Sequence, residues 1–151
     1  MLFRSSGANS RSMPPEQAVF FLDRSLGKEK VADALRAAGA HVEIHDLHFS
    51  PDARDDDWLQ EVGRRGWAVL TKDKHIRRRA TELAALRNAR VSAFVLTSGN
   101  LTGEEMAAAF VRALKRMRRI AAQNRPPFIA TVTRDGSVSI LLSAKMLGRK
   151  R

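Results

Sequence analysis

The sequence has no cysteine, which rules out a disulfide and a thiolate metal site, and nothing in it calls for an oxidising compartment. Long apolar runs are missing as well. The longest span four to six residues, too few to cross a bilayer, and the mostly polar first twelve residues lack the apolar stretch of a signal peptide. These absences lead to the expectation of a soluble, cytoplasmic protein with no membrane partner. There is also no Gly-rich phosphate loop and no ordered series of Ser, His and Asp.

What is present sets the other limits. A chain of 151 residues with 44% hydrophobic content can bury one sizeable core, so a single domain is expected. Lys and Arg number 27 against 16 Asp and Glu, a net charge of +11. That excess points to a polyanionic partner, and nucleic acid, an anionic membrane surface or an acidic protein would each satisfy it.

Residues 1–17 show no periodicity and carry Gly, Ser, Asn and two prolines, which reads as a flexible N-terminal tail. Val19-Phe20-Phe21-Leu22 is a continuous apolar run, as expected of a strand covered on both faces, and it stops at Asp23. A helix follows from about Lys28, with Val31, Ala34, Leu35 and Ala38 on one face and Gly39 as its stop. His41 to His45 alternates apolar with polar residues, the pattern of an edge strand or one with a wet face. Asp55-Asp56-Asp57 then opens a helix with Trp58, Leu59 and Val62 inward, acids being favourable in a first turn.

Trp67 to Thr71 reads as a third strand, ended by Lys72-Asp73-Lys74, and a basic helical stretch from His75 to Asn88 leads to a fourth at Val91 to Thr97. Thr102 with Glu105 forms a capping box for a long amphipathic helix with Met106, Phe110, Val111, Leu114 and Met117 inward, stopped by Pro126-Pro127. Two last runs, Phe128 to Thr133 and Ser137 to Leu142, flank Asp135-Gly136, a hairpin signal. The folded domain is expected over residues 18–143, with 144–151 as a basic C-terminal tail.

Alternating strands and helices imply an α/β fold with a mainly parallel central sheet, helices on both faces, and the C-terminal β-hairpin as an addition. In such a sheet the loops after the strands share one edge, where ligands bind. Asp23 closes the first strand and Asp73 lies two residues past the third, so both should reach that edge. Any one aspartate is as readily an N-cap or turn residue. Several together repel unless a cation joins them, and Mg²⁺ and Mn²⁺ prefer carboxylate and water oxygens.

Three segments carry a resemblance: FFLDRSLGKEKVADALRAAG from residue 20, DDDWLQEVGRRGWAVLTKDKHIRR from residue 55, and FVLTSGNLTGEEMAAAF from residue 94. Their distinctive parts are an Asp closing the first strand, an acid before a Trp-Leu helix, and a Thr-x-Asp-Lys segment closing the third strand. The chain resembles the PIN-like nucleases, specifically the VapC-type toxin branch, over roughly residues 18–135. That resemblance implies a three-layer α/β sandwich and a Mg²⁺- or Mn²⁺-dependent endoribonuclease acting as the toxin of a toxin and antitoxin pair. It implies catalytic and metal-binding roles for Asp23, Asp55 and Asp73. Asp55 fits the motif best, with Asp57 a different turn position on the same helix start. Family members often place a further acid after the fourth strand, where this chain offers Ser98, Asn100 and then Glu104, and Asn100 could supply a neutral oxygen.

RNA binding is expected from the cations beside that edge: Lys72, Lys74, His75, Arg77, Arg78 and Arg79 after the third strand, and Arg112, Arg116 and Arg119 on one face of the long helix. The tail ending Gly148-Arg149-Lys150-Arg151 would add to RNA or partner binding. Trp58 and Trp67 sit in apolar patterns and read as core. His41, His45 and His48 do not make a metal site, because on an extended strand His41 and His45 would stand about 13 Å apart at roughly 3.3 Å per residue. A cognate antitoxin and a homodimer are the expected partners. The alternative is a non-catalytic PIN-like module that binds RNA or a protein through its basic surface.

Overall fold

A computed structural model describes residues 17–27, 29–50, 52–73 and 80–147, apart from the side chains of residues 55, 56 and 80. Six strands form one sheet: β1 (Val19–Leu22), β2 (His41–Ile44), β3 (Ala68–Thr71), β4 (Ser92–Leu96), β5 (Phe128–Val132) and β6 (Val138–Leu142). Their order is β2-β1-β3-β4-β5-β6, with β6 alone antiparallel to its neighbour. The continuous apolar runs become the inner strands, and the alternating His41 to Ile44 run becomes an edge strand, as their patterns require. The second strand is one residue shorter than expected, because His45 opens a short helix.

Period-two alternation divides the apolar residues between two cores. Phe20, Leu22, Leu70, Phe94 and Phe128 point toward α1 (Lys30–Ala37) and α5 (Gly103–Gln123), meeting Val31, Leu35, Phe110 and Met117. Phe21, Val69, Val95 and Ile129 point the other way, toward α3 (Asp55–Arg65) and α4 (Ala80–Ala89), meeting Trp58, Val62 and Leu86. Each fully buried side chain of this size contributes about 1.5–3 kcal/mol. The inward stripes are narrower than the sequence suggests: Ala32 is buried where Ala38 is exposed, and Val111 stays 37% exposed on the outside of α5. The capping box is present, with the Thr102 hydroxyl accepting from Glu105 N–H and the Glu105 carboxylate accepting from Thr102 N–H.

The order of the strands positions the site. The chain leaves β1 through α1 to reach β2 on one side, then returns through α3 over the opposite face to reach β3 on β1's other side. Beyond the carboxy ends of β1 and β3 the two connections diverge, leaving the crevice in which open parallel sheets hold ligands.

At the other end of the sheet the β5–β6 pairing shifts register, Ile129 facing Leu142 while Ala130 faces Ile140, so Leu141 is a bulged extra residue. The bulge inverts the strand's inward face: Val138 packs on the first core and Leu142 on the second. The turn before β6 needs glycine at 136, where φ is 89° and a Cβ would stand 2.5 Å from Cβ of Arg112. Past β6, α6 (Ala144–Leu147) buries Leu147 in the second core, so packing continues beyond residue 143. A further short helix, α2 (His45–His48), follows β2. Among the described residues no helix is long and apolar enough to cross a membrane.

Candidate active site

Asp23 stands at the carboxy end of β1, where its backbone N–H donates to the Leu70 carbonyl of β3 at 3.0 Å. A short 3-10 turn, Arg24–Leu26, follows at once and folds Ser25 back over the strand end. Two hydroxyls converge on one carboxylate oxygen: Ser25 Oγ donates to Asp23 Oδ2 at 2.8 Å, and Thr71 Oγ1, from the end of β3, donates to it at 2.7 Å. Thr71 is buried to 1% exposure, so its hydroxyl is held in place. Each hydroxyl has a single proton, spent on Asp23, and its lone pairs accept from the backbone beyond β3. Lys72 N–H donates to Ser25 Oγ at 3.3 Å and Asp73 N–H donates to Thr71 Oγ1 at 3.0 Å. The result is a pair of N–H to O–H to carboxylate chains, each dipole with its positive end toward Oδ2.

Asp23 and Asp73 are thus brought to the same edge, with Thr71 as the bridge. The other expected ligands lie differently. Asp55 opens α3, which the crossover from β2 starts at this edge. Asp57 is exposed and lines a shallow groove with Gln60, Arg64 and Arg90 on the flank where α3 meets α4. Asn100 occupies the exposed loop after β4 in the left-handed conformation, φ 59°. Glu104 is held by Lys30 of α1 at 2.5 Å, an exposed pair that keeps the Glu104 carboxyl below its ordinary range, first through the hydrogen bond from Lys30.

The donor set suits a hard divalent cation. Both hydroxyl bonds fall on Asp23 Oδ2, and Oδ1 takes part in no hydrogen bond among the described residues. One oxygen is therefore fixed and the other is left for a cation, which is how a carboxylate ligand is oriented by its neighbours. Among the described residues no three His, Cys, Asp or Glu side chains gather into an ion site.

Of the expected RNA-binding cations, Lys72 is exposed beside Asp73, and Lys74, His75, Arg77, Arg78 and Arg79 lie outside the described residues. The stripe on α5 divides. Arg112 and Arg116 reach the carbonyl oxygens of Arg134 and Gly136 in the β5–β6 turn, at 3.4 and 3.5 Å, while Arg119 is exposed. Trp58 is core at 6% exposure, whereas Trp67 is half-buried with the Arg65 guanidinium 4.9 Å from its ring centre. His41 is exposed, His45 is buried, and His48 bonds the Glu43 carboxylate at 2.7 Å.

Residues 18–98, from the start of β1 to the loop after β4, match the family described as "PIN like domain". The chain belongs to the PIN-like domain family. The match contains Asp23, Ser25, Thr71 and Asp73, which build the described carboxylate edge of this PIN-like sheet, and Asp55 at the start of α3. The chain is also similar to a Mycobacterium tuberculosis (strain H37Rv) protein named "Putative ribonuclease VapC45", with 30% identity over 125 residues that cover 80% of this chain and 90% of the relative. No solved structure matches this PIN-like chain. Divalent-metal dependence is general among nucleases of this kind, without one ion being specified.

Proposed function

We propose that this PIN-like protein is an endoribonuclease that hydrolyses RNA phosphodiester bonds with Mg²⁺ or Mn²⁺, and that it is the toxin of a toxin and antitoxin pair. The carrying observation is the Asp23 carboxylate, fixed through one oxygen by Ser25 and Thr71 at the crevice between β1 and β3, with Asp73 tied to the same Thr71 hydroxyl. The ribonuclease name of a relative that aligns with most of the chain supports the same reading.

Asp23, Asp55 and Asp73 would hold the ion, which when bound activates water and offsets charge on the phosphodiester. Asp57 and Asn100 remain as further candidate ligands. Ser25 and Thr71 keep Asp23 from rotating, and rigid ligands lose less freedom when a cation and substrate arrive. Lys72 is exposed beside Asp73, and Lys74, Arg77, Arg78 and Arg79 follow it in the sequence; phosphate contacts from such cations would give affinity without sequence choice. A cytoplasmic location, a homodimer and an antitoxin that covers the basic edge complete the proposal.

Purified protein incubated with single-stranded RNA should release fragments when Mg²⁺ or Mn²⁺ is present and stop when the ion is chelated. RNA bound with full affinity but never cut under either ion would favour the binding-module alternative.

A further inference from the structure

Strands β1, β3 and β4 begin at the edge of the sheet opposite Asp23, and α3, α4 and α5 all end there. Between those ends lies an open cleft of about 780 Å³, with Arg64, Arg65, Arg90 and Arg125 on its walls beside Trp67 and Asn124. No described acidic residue lines it; Asp57 and Glu61 border the neighbouring groove on the flank of α3. Glu61 takes the guanidinium groups of Arg64 and Arg65 at 2.6 and 2.5 Å. Arg90 and Arg125 are exposed and make no side-chain hydrogen bond or ion pair among the described residues.

Cations are favourable at helix carboxy ends in any protein, because each end carries roughly half a negative charge. Three such ends offset only about half of the charge that the four arginines retain beyond Glu61. Arg90 carries a second signal. It follows α4 in the left-handed conformation, φ 57°, whereas the same place after α3 is filled by Gly66 at φ 75°. A side chain there costs backbone energy that glycine does not. An arginine at such a position, with no partner of its own, points to a ligand for its guanidinium.

Charge selects the occupant. Residues 1–16 carry Arg4 and Arg11 against Glu16, and the whole chain is +11, so neither that segment nor a second copy complements the cleft. Four arginines suit phosphate, which the planar guanidinium meets with two parallel N–H donors. We propose that this cleft binds backbone phosphates of the RNA strand away from the bond being cut, and so holds a flank of the substrate. The inference rests on the endoribonuclease reading. Val19 at the cleft and Asp23 at the carboxylate edge are separated by the length of β1, about 13 Å at roughly 3.3 Å per residue. RNA must pass round the side of the domain to occupy both, so the effect depends on its length.

Single-stranded sites span about 4–16 nucleotides, so the test compares RNA of roughly 5 and roughly 30 nucleotides by filter binding at several salt concentrations, with a chelator present to prevent cutting. The full chain carrying Arg90→Gly and Arg125→Ala should bind the long RNA on the order of tenfold more weakly, with a salt slope smaller by roughly 1.4, two contacts at about 0.7 each. Binding and Mn²⁺-dependent cleavage of the short RNA should be unchanged. Arg90→Gly alone should melt no lower than wild type, which separates a ligand-binding arginine from a structural one. An unchanged salt slope on the long RNA, or an equal loss on both lengths, would overturn the proposal while the ribonuclease reading stands. Polyglutamate bound as tightly as the long RNA and weakened equally by the two substitutions would assign the cleft to an acidic protein and overturn it too. Failure of wild type to bind or cut either RNA would defeat both readings.

Discussion

Thr71 donates its hydroxyl proton to Asp23 Oδ2 at 2.7 Å and accepts the Asp73 N–H at 3.0 Å, so one buried side chain joins the two aspartates of the carboxylate edge. Thr71→Val keeps the shape and removes both bonds. It should cut RNA cleavage by roughly 10- to 100-fold, the usual cost of losing a partner behind a metal ligand. Unfolding free energy should fall by about 1–3 kcal/mol, because the Asp73 N–H loses its acceptor. Thr71→Ser should restore most of the activity. Kinetics and thermal melts of the three proteins check this, and unaltered cleavage by the valine variant would remove Thr71 from the site.

Asp73→Asn should abolish most cleavage with the fold intact by circular dichroism, because the proposed ligands act as a unit rather than additively. Ser25→Ala should be milder, since Thr71 still holds Asp23 Oδ2. Single-turnover rates at saturating Mn²⁺ give the ranking, and a serine variant more damaged than the aspartate variant would contradict it.

The carboxylate edge was legible in the sequence and its support was not. Asp23 and Asp73 follow recognisable apolar runs, and alternation with helices is enough to send both to one edge. Ser25 and Thr71 carry no such signal, because hydroxyl residues are common at strand ends and the bonds that join them across the sheet, Lys72 N–H to Ser25 and Thr71 to Asp23, link positions 47 and 48 residues apart. Alternation also leaves the strand order open, and with it the crevice between β1 and β3. Arg112 and Arg116 share a helix face, yet only the fold shows that this face meets the β5–β6 turn. His45 reads as the last residue of an alternating strand, whereas it opens α2 and turns into the second core's aromatic cluster.

Gly136→Ala tests the contact between that turn and α5. A side chain there would need a positive φ of 89° and would overlap Arg112 Cβ, so the protein should lose about 1–3 kcal/mol. Cleavage per folded molecule should change far less than stability, since β3 and β4 stand between β1 and the strands this turn joins. A melt and an activity assay on the same preparation separate the two effects.

The Lys30–Glu104 pair, joining α1 to the first turn of α5, makes a pH-dependent contribution. Glu104 is held below its ordinary range by the Lys30 hydrogen bond, then by a backbone bond and the Lys30 charge. Its contribution to folding is therefore present above the unfolded carboxyl value and lost as pH falls through the lowered folded value. Lys30 is raised by the same partner, so its share is present below the unfolded lysine value and lost as pH rises through the raised folded one. Lys30→Met should move the Glu104 carboxyl titration upward in a carbon-detected NMR experiment, and an unmoved titration would show that the pair does not form in solution.

The most direct test of Asp23 as the centre of the site combines Mn²⁺ titration calorimetry with RNA cleavage on wild type and Asp23→Asn. Wild type should bind Mn²⁺ and cut RNA in the same concentration range. Asp23→Asn should remain folded, lose both the binding heat and the cleavage, and still bind RNA, as one repulsive charge leaves the edge. Retained Mn²⁺ binding with retained cleavage in Asp23→Asn would contradict the assignment.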